Sequence, residues 1–176
     1  MRRALVLYCH PNPGSYTAAI KDRILARLDS QGHEVRVIDL YAEGFEPRLT
    51  QEEHAQYLDT LLNREGLEAH VEALEWCDTL ICVYPTWWYG LPAMLKGWLD
   101  RVLLPGVAFE LPPDGRDIRP LLTNIARLGV FTTAGASWWL TRLVGAPGRR
   151  TVLRGVRFLC ARHCRTAFLA HYNMDA

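Results

Sequence analysis

Residues 79–90 read TLICVYPTWWYG, and this stretch decides the fold. Thr79–Tyr84 is a short, unbroken apolar run, too brief for a helix and rich in β-branched and aromatic residues. That is the signature of a strand covered on both faces. Directly behind it stand Pro85, Thr86, the consecutive aromatics Trp87, Trp88 and Tyr89, and Gly90. Pro92 then opens a first helical turn, and Ala93, Leu95, Trp98, Leu99 and Val102 recur at helical spacing. The unit is strand, irregular loop, helix.

The same unit recurs on either side. Ala4–Cys9 is a second apolar run, followed by the loop HPNPGS and a helix that Ser15 opens, with Ala19, Ile20, Ile24, Leu25 and Leu28 on one face and an end near Gly32. Val35, Val37 and Asp39 alternate with their neighbours as a strand. Thr50 and Glu53 form a capping box for a helix expected to run into the early sixties. A further helical stretch over 65–76 turns Leu67, Val71 and Leu74 inward. Residues 104–120, broken by Gly and Pro, read as an ordered surface loop. Ile125–Thr132 is a fourth strand, with TAGAS behind it. Residues 148–163 suit an amphipathic helix, with Val152, Val156, Leu159 and Cys160 inward and Arg150, Arg154 and Arg157 outward. Thr166–Tyr172 is the fifth strand. Strands alternating with helices, without hairpin signals, imply an α/β fold: a doubly wound, five-stranded parallel sheet in a single domain over 1–176.

Composition narrows the function. The 176 residues are 49% hydrophobic and 22% charged, with a net charge of +1. Such a chain can bury a core, which excludes disorder. The balanced charge argues against a nucleic-acid binder and against an acidic one-electron carrier. The charge is nevertheless uneven: thirteen acids face three arginines between Asp29 and Asp78, whereas Ile118 to Met174 holds nine arginines and no acid. Either an anionic ligand or two complementary faces would account for that asymmetry. Five cysteines, an odd number lying mostly in apolar runs, fit buried thiols in a reducing cytoplasm. The opening MRRALVLYCHPNP has too short an apolar stretch for a signal peptide, and no apolar run approaches the ~18 residues of a spanning helix. The expectation is a cytoplasmic protein without membrane insertion or a nucleic-acid partner. Cys160, His163, Cys164 and His171 match no zinc-finger spacing, and Cys160 and Cys164 read as core-facing thiols, so no metal is assigned. His54 and His70 read as ordinary helix-surface residues.

In a parallel sheet the loops after three strands gather at one rim. The first offers the Ser15 and Thr17 hydroxyls, His10 and free N–H groups at a helix start, with no carboxylate between Cys9 and Lys21. A helix start of that kind holds a phosphate, although Ser15 would cap the helix in any case. Neither a Walker A nor a GxGxxG pattern is present. In the second loop, Trp87, Trp88 and Tyr89 cannot all point into one core. They present rings either to a cavity where a flat heteroaromatic stacks or to a dimer interface. The third loop, Thr132–Ser137, is small enough to bring backbone N–H groups close to a ligand edge. Together the three describe a flavin mononucleotide site.

YPTWWYGLPAMLKGWLDRVLLPGVAFE (84–110), HPNPGSYTAAI (10–20) and FTTAGASWW (131–139) closely resemble the signature segments of the flavodoxin-like NAD(P)H:quinone oxidoreductases, the DT-diaphorase and modulator-of-drug-activity family. The resemblance implies that His10, Ser15, Tyr16 and Thr17 surround the flavin phosphate and ribityl chain. Pro85, Thr86, Trp87, Trp88, Tyr89 and Gly90 would hold the isoalloxazine, and Thr133, Ala134 and Gly135 its pyrimidine side. It also implies FMN (FAD as the alternative), NAD(P)H as hydride donor, two-electron ping-pong reduction of a quinone or related acceptor, and a homodimer with its site at the subunit boundary. An electron-carrying flavodoxin and a flavin-binding regulatory subunit of a membrane transporter are the rival readings. Three departures stand out. Ala134 replaces the family's usual Gly, no Tyr/His proton relay follows Ser137, and the sequence stops before the last helix of a five-stranded doubly wound fold. No catalytic acid or base is assigned. Apolar side chains of the fifth strand, such as Phe168 or Leu169, are expected to lie partly bare beside the Ser15 helix.

Overall fold

The structure is a computed structural model and describes residues 1–112 and 117–174. Its sheet holds β1 (Arg3–Tyr8), β2 (Glu34–Asp39), β3 (Thr79–Thr86), β4 (Arg127–Ala134) and β5 (Arg165–His171) in the order β2-β1-β3-β4-β5. Every pairing is parallel, from Val6 opposite Val37 to Phe131 opposite Leu169. The central strands are covered on both faces: β1 is buried from Ala4 to Tyr8 and β3 from Thr79 to Pro85. β3 and β4 extend two residues beyond the expected ends, to Thr86 and Ala134, and carry the rim loops outward.

α1 (Tyr16–Ser30) starts where Ser15 accepts the Ala18 N–H, and α2 (Gln51–Gln56) starts on the full Thr50–Glu53 capping box. α2 stops well before the early sixties. Leu58, Leu61 and Leu62 lie exposed, so no buried face propagates the helix beyond its cap. α3 (Glu68–Trp76) and α4 (Ala93–Val102) match their apolar spacing. α5 (Trp138–Leu143), capped by Ser137, was not anticipated. The segment 104–120 is also more than a loop. Phe109–Glu110 pairs antiparallel with Arg119–Pro120, too short a ribbon to show a two-residue periodicity, and 113–116 of that expected loop lie outside the described residues. α6 spans 147–159 and is α-helical at Pro147–Arg150, π-helical at Thr151–Val156 and α-helical again at Arg157–Leu159. It ends short of the expected His163. Arg157 does not face out but donates to the carbonyls of Cys164 and Arg162, closing the turn into β5.

The two faces of the sheet are covered unequally. Leu5, Leu7, Leu80, Leu128 and Val130 pack beneath α3, α4 and α6 in one large core that also contains Cys9, Cys77, Cys82, Cys160 and Cys164. All five cysteines are free thiols, and burial pushes Cys9, Cys77, Cys82 and Cys160 up to about 12. On the opposite face α1 sits over Val6, Tyr8, Ile81 and Val83. Beside it a groove of about 460 Å³ is floored by Ile81 and Phe131. Leu169 is 53% exposed on β5, as expected, whereas Phe168 points to the other face and packs on the large core. Strand alternation separates the two neighbours.

Trp98, with no exposed surface, anchors the large core and donates its indole N–H to His70 Nδ1 at 3.2 Å. His70 is therefore not a surface residue. Its ring lies edge-on to Phe45 at 5.1 Å, and burial, with Arg101 nearby, holds its pKa below the usual value. Immediately before Trp98, Gly97 admits the Pro47 backbone so closely that a Cβ would stand 2.2 Å from the Pro47 carbonyl oxygen.

Truncating Trp98→Ala should lower the unfolding free energy by roughly 3–5 kcal/mol in urea titrations. His70 takes up its proton more readily unfolded than folded. Its contribution is therefore complete above pH ~6.5 and declines as pH falls through the unfolded value toward the lower folded one. The urea midpoint should drop between pH 7.5 and 5.5, and His70→Gln, which keeps an acceptor for Trp98, should reduce that drop.

Candidate functional site

The loops behind β1, β3 and β4 meet at one rim and are tied there by hydroxyls. Thr17 and Thr133 pair at 3.1 Å in a buried contact, and Thr86 pairs with Thr132 at 2.8 Å. The first contact fixes the start of α1 against the end of β4. The second fixes β3 against β4 where both leave the core. Thr17 and Thr133 thus position the loops from beneath, and Pro85 is buried in β3.

The first loop is a compact turn. Asn12 N–H donates to His10 Nδ1, Gly14 N–H to Asn12 Oδ1, and Ser15 N–H to the Asn12 carbonyl. Ser15 Oγ is engaged by Ala18 N–H, and the first turn of α1 holds no acid. A helix start of this kind keeps N–H groups available for an anion. His10 leans toward the second loop, its ring 6.4 Å from that of Trp87. Tyr16 turns the other way, onto His171 of β5 at 5.2 Å.

The second loop is strained at two successive residues. Gly90 N–H donates to the Trp87 carbonyl at 2.9 Å, closing a two-residue reversal in which Trp88 (φ 48°) and Tyr89 (φ 62°) are both left-handed. A type I′ turn of this kind normally takes Asn-Gly. Each bulky residue held there costs about 1–2 kcal/mol. Trp88 offsets none of this by packing, because 94% of it is exposed. Two strained aromatics kept on the surface are a functional signal. The reversal is held from behind by α6, where Gly148 N–H reaches the Tyr89 carbonyl at 3.4 Å and a Cβ on Gly148 would lie 3.0 Å from the Gly90 backbone.

Between the second and third loops opens a cleft of about 590 Å³, lined by Thr86, Trp87, Trp88, Tyr89, Ala134, Gly135, Ala136 and Thr141. That volume suits a small organic ligand. The lining has no carboxylate and no imidazole, so the cleft is neutral and aromatic. Of the expected residues, Thr86, Trp87, Trp88, Tyr89, Ala134 and Gly135 line this space directly. His10, Ser15, Tyr16 and Thr17 cluster at the α1 start, while Pro85, Gly90 and Thr133 support it from the framework. Sequence reasoning missed Ala136 and Thr141. The Ser137 cap followed by WWLT was the available signal for the short helix that brings Thr141 in.

The strand order and a ligand cleft across the C-terminal ends of β3 and β4 are those of the doubly wound nucleotide-binding proteins. The chain belongs to the flavodoxin-like fold family, which it matches over residues 2–166. It is 34% identical over 158 residues to the ribosyldihydronicotinamide dehydrogenase [quinone] of Pongo abelii, covering 80% of this chain and 67% of that protein. The chain thus spans about two thirds of the length of this curated relative. The NAD(P)H:quinone oxidoreductase of Methanothermobacter marburgensis superposes with a TM-score of 0.79 at 26% identity, over 98% of this chain and 85% of that one. An FMN-dependent NADH-azoreductase from Bacillus anthracis, solved in complex with FMN, shares the fold with a TM-score of 0.75 at 14% identity, over 98% of this chain and 88% of that one.

Because Trp88 packs on nothing, Trp88→Asn should leave the unfolding free energy unchanged or raise it by up to about 1 kcal/mol, Asn being tolerated at left-handed φ. Urea unfolding measures this. A loss beyond 1 kcal/mol would show that the indole stabilises the fold.

Proposed function

We propose that this chain is an FMN-binding, NAD(P)H-dependent quinone reductase. The observation that carries the reading is the neutral aromatic cleft whose one wall is a strained Trp88–Tyr89 reversal and whose other wall is the small-residue loop Ala134–Ala136. A planar heteroaromatic ring suits that slot. The α1 start next to it suits a phosphate.

The residues present fit the cofactor. His10, Ser15, Tyr16 and Thr17 would surround the phosphate and ribityl chain, Ser15 through its hydroxyl and the start of α1 through its N–H groups and positive end, while the Thr17 hydroxyl stays paired with Thr133. Pro85, Thr86, Trp87, Trp88, Tyr89 and Gly90 would hold the isoalloxazine by stacking and by backbone contacts. Thr133, Ala134 and Gly135 would approach its pyrimidine edge. When bound, the flavin supplies hydride acceptance from NAD(P)H and hydride donation to the quinone, one after the other. The chain's own part is to orient both substrates at one face and to keep charged groups away from it. In the absence of a carboxylate or imidazole in the cleft, no acid or base is assigned.

A homodimer belongs to the same proposal. Trp88 lines the cleft, and Trp138, Trp139 and Leu143 belong to α5, the helix that brings Thr141 to it; all four have more than half their surface exposed, a concentration of large apolar groups that marks an interface. A second subunit seated there would complete the cleft. Sedimentation equilibrium should accordingly return twice the chain mass.

Apoprotein titrated with FMN should bind one flavin per chain below micromolar Kd. Trp88→Ala should weaken that affinity by about 1–3 kcal/mol, the range for buried stacking on an aromatic side chain. Varying NAD(P)H against a benzoquinone should give parallel double-reciprocal lines. Intersecting lines would exclude alternate use of one site.

A further inference from the structure

Behind the aromatic cleft lies a second cavity of about 590 Å³, and its lining includes Arg142, Arg149, Arg150 and Arg154 together with Trp138, Phe168 and Tyr172. We propose that this cavity binds the 2′-phosphorylated adenosine arm of the reductant, so that the chain selects NADPH over NADH and over phosphate-free dihydronicotinamide ribosides. The proposal rests on the reading of the adjoining cleft as a flavin site served by a dihydronicotinamide.

Four arginines line this one cavity. Among the described residues none of the four forms an ion pair, and the sequence from Ile118 to Met174 supplies no acid to pair with them. Like charges brought together at a cavity are unfavourable unless an anion joins them, and arginine is the side chain whose donors match phosphate oxygens in pairs. The backbone goes to some length to assemble them. Gly145 (φ 96°) and Ala146 (φ 47°) are successive left-handed residues between α5 and α6, and Arg142 before them and Arg149 and Arg150 after them line the same cavity. Arg150 folds back over Gly145, where a Cβ would lie 3.6 Å from its guanidinium. Arg154 sits in the π-helical segment, a rare helix form that collects at functional sites.

The aromatic lining separates a nucleotide from a bare phosphate. Arg142 lies over the Trp138 ring at 5.0 Å and Arg149 over Phe168 at 5.5 Å, so each pair offers a flat, cationic surface to a purine. The position separates a substrate arm from an unrelated effector. Thr141 lines both this cavity and the aromatic cleft, so one extended ligand can occupy the two. The flavin's own phosphate has a different place, at the start of α1. A dinucleotide with its nicotinamide at the cleft and its adenosine among the arginines uses both spaces. The 2′-phosphate, the group that distinguishes NADPH from NADH, adds the charge that four arginines can neutralise.

The test is calorimetry on the purified protein, as isolated, with 2′,5′-ADP, 5′-AMP and inorganic phosphate as probes. The expected result is that 2′,5′-ADP binds at least tenfold tighter than 5′-AMP or phosphate, with an affinity that falls as salt rises. Arg150→Gln and Arg154→Gln, both on the exposed side of α6, should each weaken 2′,5′-ADP about tenfold or more, the loss typical of a charged hydrogen bond. They should raise the KM for NADPH by a larger factor than that for NADH. Arg27→Gln, which removes a charge at the α1 groove, should change neither. Equal affinities for 2′,5′-ADP and 5′-AMP, wild-type affinity in both variants, or phosphate binding as tightly as the nucleotide would each overturn the proposal. Discrimination by the arginines without quinone turnover would sink the quinone reading and sustain this one. Quinone turnover without discrimination would do the reverse.

Discussion

All five strands run in one direction, and that constraint organises everything else in the molecule. Parallel strands cannot be joined by tight turns, so each connection crosses the sheet and each strand ends at the same rim. The loops behind β1, β3 and β4 therefore arrive together although they lie far apart in sequence. Two threonine pairs, Thr17 with Thr133 and Thr86 with Thr132, then fix their separation where the ladder hydrogen bonds run out. The cleft is a by-product of strand direction, held to size by hydroxyls.

Within that frame, rigidity and strain are distributed unequally. The large core around Trp98 and the five buried thiols holds the scaffold. The Trp88–Tyr89 reversal spends part of the stability so gained on a conformation that neither side chain favours. It persists because Gly148 of α6 packs against Gly90, leaving the loop nowhere to relax. A support of this kind, distant in sequence and contributing only a missing Cβ, is what keeps a strained surface turn in one conformation.

The sheet was legible because its strands are short apolar runs bounded by Pro, Gly and polar loops, and the rim loops stood out by composition. Trp87–Tyr89 declared themselves as too many aromatics for one core. What the sequence concealed was set by packing. His70 has the sequence setting of a surface residue, and only the fold brings the Trp98 indole to donate to it. The two-residue strands at Phe109 and Arg119 are below any periodic signal. Apolar spacing alone cannot distinguish an α-turn from a π-turn, so 148–163 read as one regular helix. The arginines at 150 and 154 looked like a solvated face, because nothing in their spacing reveals that Arg142 and Arg149 stand beside the same cavity.

The π-helical stretch at Thr151–Val156 also bears on how the molecule can change. Such a segment holds one residue more per turn than the α-helix around it. The residues before it are therefore rotated about 100° from where an unbroken α-helix would put them. Gly155 is exposed, and nothing lies within 4 Å of where its Cβ would stand. Deleting that one glycine would let the helix close to regular geometry while Val156 and Leu159 kept their places in the core. Arg149 and Arg150 would then swing off the cavity, and Gly148 would turn away from Gly90 and Val152 out of the core with them. One residue in the helix thus couples the arginine cavity to the loop that walls the aromatic cleft.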